Sequence, residues 1–289
     1  MGFHPAIREA LEEIRGETTR GAAWSAFRAI KGLLDAYDAG GLECSAVDEL
    51  SNAIISSNPS MASLYWVAWA LVEGCRTGDP GPVLRRLLFE LQETRRRIPD
   101  IALEIFKGSP RILTISYSSN VEAVLLAAHR SGSLGPVYVL ESRPGGEGVV
   151  LASRLRARGV PVQLIPDALL HVYAERADFA LVGADSVTLD GCLVNKAGTR
   201  LLALTARALG KHVAVIFEPY KIHPERGCGE VPLLERIYRV NGWGDTLVPV
   251  FDETPGELLS LGITSEGLGA WEPGWIRGVY ESFKERILR

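Results

Sequence analysis

From Arg111 onward, short apolar runs alternate with helical stretches, and no other feature of the chain restricts its fold as much. The runs Arg111 to Ser116, Pro136 to Leu140, Val160 to Ile165, Phe179 to Val182 and Val213 to Phe217 are short and nearly continuous in apolar residues. Between them lie helical patterns, to about Arg130, through Leu151 to Arg158, over Leu169 to Ala174 and over Leu201 to Leu209. Strand, helix, strand repetition of this kind builds a parallel sheet covered on both faces. The first third of the chain has a different texture. Ala6-Ile7 with Ala10-Leu11-Ile14, Ala22-Ala26-Ala29-Ile30-Leu33-Leu34 and Val83-Leu84-Leu87-Leu88-Leu91 recur at three- and four-residue spacing. Breaks at Ala39-Gly40-Gly41, Ser56 to Pro59 and Thr77 to Pro82 divide this part into about five helices joined by short turns. The texture changes at Lys107-Gly108-Ser109-Pro110. The expected fold is therefore α/β, with a helical N-terminal domain over residues 1–107 and a doubly wound parallel-sheet domain over residues 108–289. Trp275 to Leu288 reads as an amphipathic helix that closes the second domain or an oligomer interface.

Composition narrows the function classes. A formal net charge of −4 gives no footprint for direct nucleic-acid binding, and Arg95-Arg96-Arg97 reads as a solvated helix end. Cys44, Cys75, Cys192 and Cys228 are widely separated, without metal-ligand spacing, and reduced thiols are expected. The five histidines are scattered without i, i+4 pairs, so no metal is expected. The opening residues mix charged with apolar side chains unlike a signal peptide, and no apolar run has membrane-spanning length. A soluble, cytoplasmic protein without membrane contact follows. Tyr65, Trp66 and Trp69 lie at helical spacing and are expected to pack the N-terminal bundle.

Chemistry is expected where strands end, because open α/β sheets bind ligands outside the carboxyl ends of their strands. Asp185 follows the Phe179 to Val182 run, and Asn195 and Lys196 come just before a helix that begins near Thr199. Lys196, the Asn195 amide and free backbone N–H groups could together hold an anion. On this segment alone, a ligand site and a turn capped by Asp185 with a solvated lysine are equally good readings. After the first strand the dinucleotide fingerprint G-x-G-x-x-G is absent, and Thr114 to Val121 supplies a hydroxyl-rich turn instead. NAD is therefore not expected, and no other cofactor is implied. Ser118 and Ser119 at that helix start can hold a phosphate or simply cap the helix. Arg143, in a glycine-rich loop after the second strand, offers a fork for phosphate oxygens or a salt bridge to Glu141 or Glu147. Tyr220-Lys221 lies at the same side of the sheet, where it could meet the ligand or a dimer contact. Three converging strand ends describe a pocket for a small phosphorylated molecule.

These segments carry a resemblance. TISYSSNVEAVLLAA (114–128), VYVLESRPGGEG (137–148), residues 162–210, PYKIHP (219–224) and FDETPGELLSLGITSEG (251–267) resemble one family with three branches. The branches are the alpha, beta and delta subunits of translation initiation factor 2B, the methylthioribose-1-phosphate isomerases and the ribose-1,5-bisphosphate isomerases. Arg20-Gly21-Ala22 is similar to the N-terminal phosphate motif of the isomerases, and Pro59 to Leu64 to a second family segment, with Asn58 where the family often has arginine. The resemblance implies a helical N-terminal domain, a Rossmann-like C-terminal domain and dimerisation through the latter, with a homodimer or higher homo-oligomer as the assembly.

The resemblance also implies a choice of branch. The isomerases pair a cysteine with an aspartate to move a proton or hydride between C1 and C2 of an aldose phosphate. Asp185 matches the aspartate, whereas Ser116 stands where the cysteine is expected. A serine hydroxyl without an adjacent base is a far weaker acid than a thiol. Cys192 is a possible substitute, although burial as a structural cysteine suits it better. The first expectation is an archaeal-type factor 2B subunit-like regulatory protein with a nucleotide- or sugar-phosphate pocket. Arg20, Gly21, Ala22, Ser118, Ser119, Arg143, Asn195 and Lys196 would hold AMP or a pentose phosphate, and initiation factor 2 would be the partner. The alternative is an aldose-ketose isomerase acting on ribose 1,5-bisphosphate or methylthioribose 1-phosphate with Asp185 and Ser116 as catalytic groups.

Overall fold

The computed structural model describes residues 2–17, 20–240 and 243–289. Five α-helices come first: α1 (Pro5–Gly16), α2 (Ala22–Asp38), α3 (Val47–Ser57), α4 (Ala62–Arg76) and α5 (Pro80–Ala102). Their ends follow local chemistry. The His4 ring accepts the Ala6 N–H at 3.3 Å to open α1, and the Asp79 carboxylate accepts the Gly81 N–H at 3.0 Å to open α5. Proline at the first position of both helices sacrifices only an N–H that would have had no intrahelical partner.

The alternation follows as expected from the pattern: β1 (Ile112–Ile115), α6 (Ser119–Arg130), β2 (Val137–Leu140), α7 (Glu147–Arg156), β3 (Val162–Ile165), α8 (Leu170–Arg176) and β4 (Phe179–Val182). Next come β5 (Ser186–Val187), β6 (Leu193–Lys196), α9 (Thr199–Ala208), β7 (His212–Ile216), β8 (Glu235–Val240), β9 (Gly244–Pro249), β10 (Phe251–Thr254), β11 (Leu261–Thr264), β12 (Gly267–Ala270) and α10 (Pro273–Leu288). Seven strands form the main sheet in the order β12-β11-β7-β4-β1-β2-β3, parallel throughout except for the β11–β12 pair. The chain lays down β1, β2 and β3 toward one edge and then places β4 and β7 on the other side of β1. That reversal opens a crevice between the carboxyl ends of β1 and β4. Gly148, at the start of α7, lets this helix approach β2, since a Cβ there would lie 1.8 Å from the Leu140 carbonyl oxygen.

One apolar core runs from the helices into the sheet. Ile30, Leu64, Leu84, Val182, Val215 and Phe283 belong to the same buried cluster, and Ile98 and Phe106 join a second cluster with Val124 and Ile216. Trp66 reaches beyond the bundle that its spacing suggested. Its indole N–H donates to the Ile222 carbonyl at 2.8 Å, and its ring meets Tyr280 and Phe283 at centroid distances of 5.3 and 5.0 Å.

Three expectations need correction. The segment after β4 is not one loop: β5 and β6 form an antiparallel pair, extended by β10, with Phe251 opposite Lys196 and Asp252 opposite Asn195. The pairing strand lies far downstream, and local periodicity carries no information about such a partner. The cysteines are not reduced, because Cys44 is bonded to Cys75 and Cys192 to Cys228, across sequence separations of 31 and 36 residues. Tertiary folding brings these pairs together, which sequence spacing does not reveal. Finally, Arg95 is not a merely solvated helix-end residue, since it donates to the Ser119 hydroxyl at 3.1 Å. Among the described residues no helix is long and apolar enough to cross a membrane.

The Cys44–Cys75 bond ties the turn before α3 to the end of α4. Replacing both residues by serine should cost about 2–4 kcal/mol of unfolding free energy in denaturant titrations. A loss equally large when the unaltered protein is reduced would assign the effect to the bond rather than to the new hydroxyls.

Candidate functional site

Two arms of one cleft meet at the crevice beside β1 and β4. Arg20, Gly21, Ser116, Tyr117 and Asp185 line both. The narrower arm encloses about 220 Å³ and the wider about 600 Å³.

Ser116 leaves β1 with φ at 66°, in the left-handed region that serine seldom adopts. Its N–H donates to the Ser142 hydroxyl at 2.6 Å, and that hydroxyl donates to the Leu140 carbonyl at 2.9 Å. The β2 loop is clamped in turn by Asp167, which accepts the Ser142 and Arg143 N–H groups at 2.8 and 2.7 Å. Backbone strain held by such a network is a common property of sites. Ser118 caps α6, accepting from the Val121 N–H at 3.4 Å, so the helix-cap reading of this residue is realised at the cleft wall.

Asp185 stands at the centre. Its N–H donates to the Val194 carbonyl at 2.9 Å, which starts the β5–β6 pair, and the backbone N–H of Ala22 donates to its carboxylate. Enclosure by the protein pushes the carboxyl up to about 6, against the pull of Lys221 and the Ala22 N–H, with Glu147 and Glu218 adding to the rise. The first turn of α2 therefore reaches the strand-end acid directly. Gly21 has no side chain with which to cap α2, and at the cleft Asp185 takes the Ala22 N–H in its place.

Lys196 is buried and ion-paired with Glu147 at 2.9 Å. Gly145 makes room for the acid, because a Cβ there would lie 2.1 Å from the Glu147 Oε1 atom. Glu17, Arg20 and Arg236 also line the narrow arm, beside apolar residues that include Met61, Val250 and Phe251. The wide arm has another character. Arg20, Arg95, Arg154 and Lys221 line it, with Asp185 as the lone acid among its described lining residues. The acids that balance these cations stand behind the wall: Arg154 meets Glu122 at 2.8 Å and Lys221 meets Glu218 at 3.0 Å. Burial alone would raise the fully buried Glu218 carboxyl, but Lys221, the Tyr220 hydroxyl and Arg95 outweigh it and hold it below the usual range.

The residues expected from sequence divide accordingly. Arg20, Gly21, Ala22, Ser116, Ser118, Ser119, Asp185, Asn195 and Lys196 all line the cleft. Arg143 lies outside both arms, paired with Glu141 at 3.3 Å, because Asp167 holds its backbone and leaves the side chain in solvent. The N–H groups at the start of α9 are not free as supposed. The Asp252 carboxylate, pushed up to about 6 by burial, accepts from Gly198 at 2.7 Å and from Arg200 at 3.2 Å. Asn195 meanwhile donates to the Thr199 hydroxyl at 3.0 Å. Cys192 is absent from both arms and carries a disulfide. Sequence reasoning missed Arg95, Arg154 and Glu147, each of which sits on a helix and reaches the cleft only through helix packing.

A model of the Initiation factor 2 subunit family matches residues 18–273 of this chain. The chain belongs to that family. Over 269 residues it is 36% identical to the eIF-2B subunit 2-like protein of Pyrococcus furiosus, covering 91% of this chain and 95% of the relative. Over 290 residues it is 29% identical to the ribose 1,5-bisphosphate isomerase of Methanocaldococcus jannaschii, covering 92% and 93%. The crystal structure of the Pyrococcus horikoshii translation initiation factor eIF-2B superposes with a TM-score of 0.87 at 32% identity, covering 95% of this chain and all of that one. In this initiation factor 2 subunit family member, the cleft is thus found on a fold shared by factor-type and isomerase-type proteins.

The raised Asp185 carboxyl makes a pH prediction. Because its value rises from 3.8 to about 6 on folding, the group favours the folded state below about pH 3.8 and loses that contribution as pH climbs through 6. Asp185→Asn should therefore be more stable than the parent at pH 8, by up to about 2–3 kcal/mol, with the difference vanishing near pH 4. Equal stability differences at both pH values would refute the assignment.

Proposed function

We propose that this family member is a factor-type binding protein whose cleft holds a small phosphorylated ligand, AMP or a pentose phosphate, and does not isomerise it. The observation that carries this reading is the absence of any thiol or imidazole among the described residues lining the cleft. No histidine or cysteine among the described lining residues can serve Ser116 as a base, and the candidate thiol Cys192 is oxidised and lines a separate cavity. The two arms support a ligand with one charged and one uncharged end. A phosphate suits the arginine- and lysine-lined wide arm, and an uncharged group suits the narrow arm, where Glu17, Glu147 and Asp185 stand against Arg20, Lys196 and Arg236 beside an apolar wall. An amphipathic monophosphate such as AMP fits this division better than a bisphosphate.

The likeness to relatives named eIF-2B supports initiation factor 2 as a partner and a cytoplasmic location. Leu201 and Leu204 on α9 and Val172 on α8, all exposed, support a second copy of the chain as the other partner, through an apolar face of the sheet-bearing half. Residues 1–107 and 108–289 would then act as the cleft-closing and the dimerising parts.

One observation favours the isomerase reading. An Asp185 carboxyl raised to about 6 exchanges protons readily near neutrality, as a general acid/base must, and the 29% identical relative is named ribose 1,5-bisphosphate isomerase.

The two readings separate in solution. AMP should raise the melting temperature, by an amount equivalent to about 2.7 kcal/mol at 100 times its Kd, and Arg95→Ala or Lys221→Ala should weaken that shift. Ketose formation from ribose 1,5-bisphosphate or methylthioribose 1-phosphate, abolished in Asp185→Asn, would replace the binding reading with the enzymatic one. No shift with AMP or any pentose phosphate would remove both.

A further inference from the structure

Among the described residues one group of side chains brings three metal-ligating atoms together, and it lies outside the cleft. Cys192, Cys228 and Glu253 present ligand atoms within 4.8 Å of one another. All three line a separate cavity of about 700 Å³, together with Asp190 and Trp271. Cys228 is exposed, so small reagents can reach it.

The three donors are held in place by interactions that do not involve the sulfur–sulfur bond. Cys192 immediately precedes β6, and Glu253 lies on β10, opposite Val194 of β6. The Cys192 N–H donates to the Thr188 hydroxyl at 2.8 Å, and that hydroxyl donates to Asp190 at 2.5 Å. Asp190 also accepts the Cys228 N–H, at 3.1 and 3.0 Å on its two oxygens. Glu253 accepts the Gly229 N–H at 2.8 Å, which draws the Cys228 loop onto β10. A carboxylate has lone pairs enough to keep this bond and bind an ion as well. The backbone around both cysteines thus remains positioned when the bond between them is broken.

We propose that Cys192, Cys228 and Glu253 form a redox-gated site for a zinc-like divalent cation. In the oxidised protein the disulfide occupies the position. A dithiol reductant transfers two electrons to it: the Cys192–Cys228 bond breaks, both sulfurs become thiols, and the reductant closes its own disulfide. The cation then displaces the two thiol protons and binds two thiolates and the Glu253 carboxylate, with water in the fourth tetrahedral position. Two thiolates select a borderline-soft ion over Mg²⁺ or Ca²⁺, which require oxygen donors. Asp190 acts as a positioning residue through the Cys228 backbone and the Thr188 hydroxyl. The Cys44–Cys75 pair belongs to no such group among the described residues and serves as an internal control.

The full chain, reduced with a dithiol and desalted without oxygen, should retain about one equivalent of Zn²⁺ by elemental analysis, whereas the oxidised chain should retain none. Co²⁺ in its place should give thiolate charge-transfer and tetrahedral ligand-field absorption. Glu253→Gln, which keeps both cysteines, should weaken zinc binding by at least the roughly 10-fold that loss of an outer partner costs elsewhere. Cys192→Ser should abolish binding, and the Cys44→Ser, Cys75→Ser double variant should retain it. The proposal fails if the reduced chain, with its thiols titrated as free, holds no zinc. It fails equally if the affinity is unchanged in Glu253→Gln, a variant whose folding circular dichroism can verify independently.

Discussion

Trp66 sends its indole N–H to the Ile222 carbonyl and its ring against Tyr280 and Phe283, so the N-terminal helices are tied to α10 and to the segment after β7 by burial of one large side chain with its polar atom satisfied. The cleft depends on that seating. A doubly wound sheet provides only a crevice between β1 and β4, open on one side. The helices complete it by bringing Arg20 and the Ala22 N–H from the start of α2 and Arg95 from α5. Dispersion and apolar burial set this docking to within a fraction of an ångström, which hydrogen bonds to Asp185 and Ser119 then exploit.

The electrostatics of the cleft follow from its enclosure. Charges removed from water need partners, and Lys196 with Glu147 and Lys221 with Glu218 satisfy this in pairs. Asp185 is the exception. It receives a backbone N–H and the field of Lys221, yet its carboxyl still rises to about 6, because enclosure strips it of water and, to a lesser degree, because Glu147 and Glu218 stand near it. A group poised in that way can accept or donate a proton, or give way to the charge of a bound phosphate. The two arms differ in where the balancing acids stand: behind the wall for Arg154 and Lys221 of the wide arm, and in the lining itself for Lys196 of the narrow arm.

Much of the architecture was legible because it is written in short periods. The strands β1 to β4 and β7 and the helices between them can be inferred from runs of four or five residues, whereas the order of the strands in the sheet cannot. Asp185, Ser116 and Ser118 could be found for the same reason: a residue just past a strand in such a sheet must lie at the ligand side. The β5–β6–β10 sheet was not legible, since Asn195 and Asp252 pair across a sequence separation of 57 that carries no common pattern. Nor were the disulfides, or the exit of Arg143 to solvent, which Asp167 imposes from the far end of β3.

Sequence by itself determined the fold class and the helices and parallel strands up to β7, because hydrophobic periodicity is local and additive, and the resemblance of its strand-end segments pointed to the family. Tertiary structure alone decided which cations face the cleft, which helix starts are free and which acid is left uncompensated. The start of α9 appeared open in the sequence, and Asp252 closes it; Arg20-Gly21-Ala22 at the start of α2 was marked by resemblance alone, and only packing brings it to Asp185. The reason is physical. Electrostatic and hydrogen-bond partners are fixed by distances of a few ångströms between elements, and those distances exist only after the core has packed.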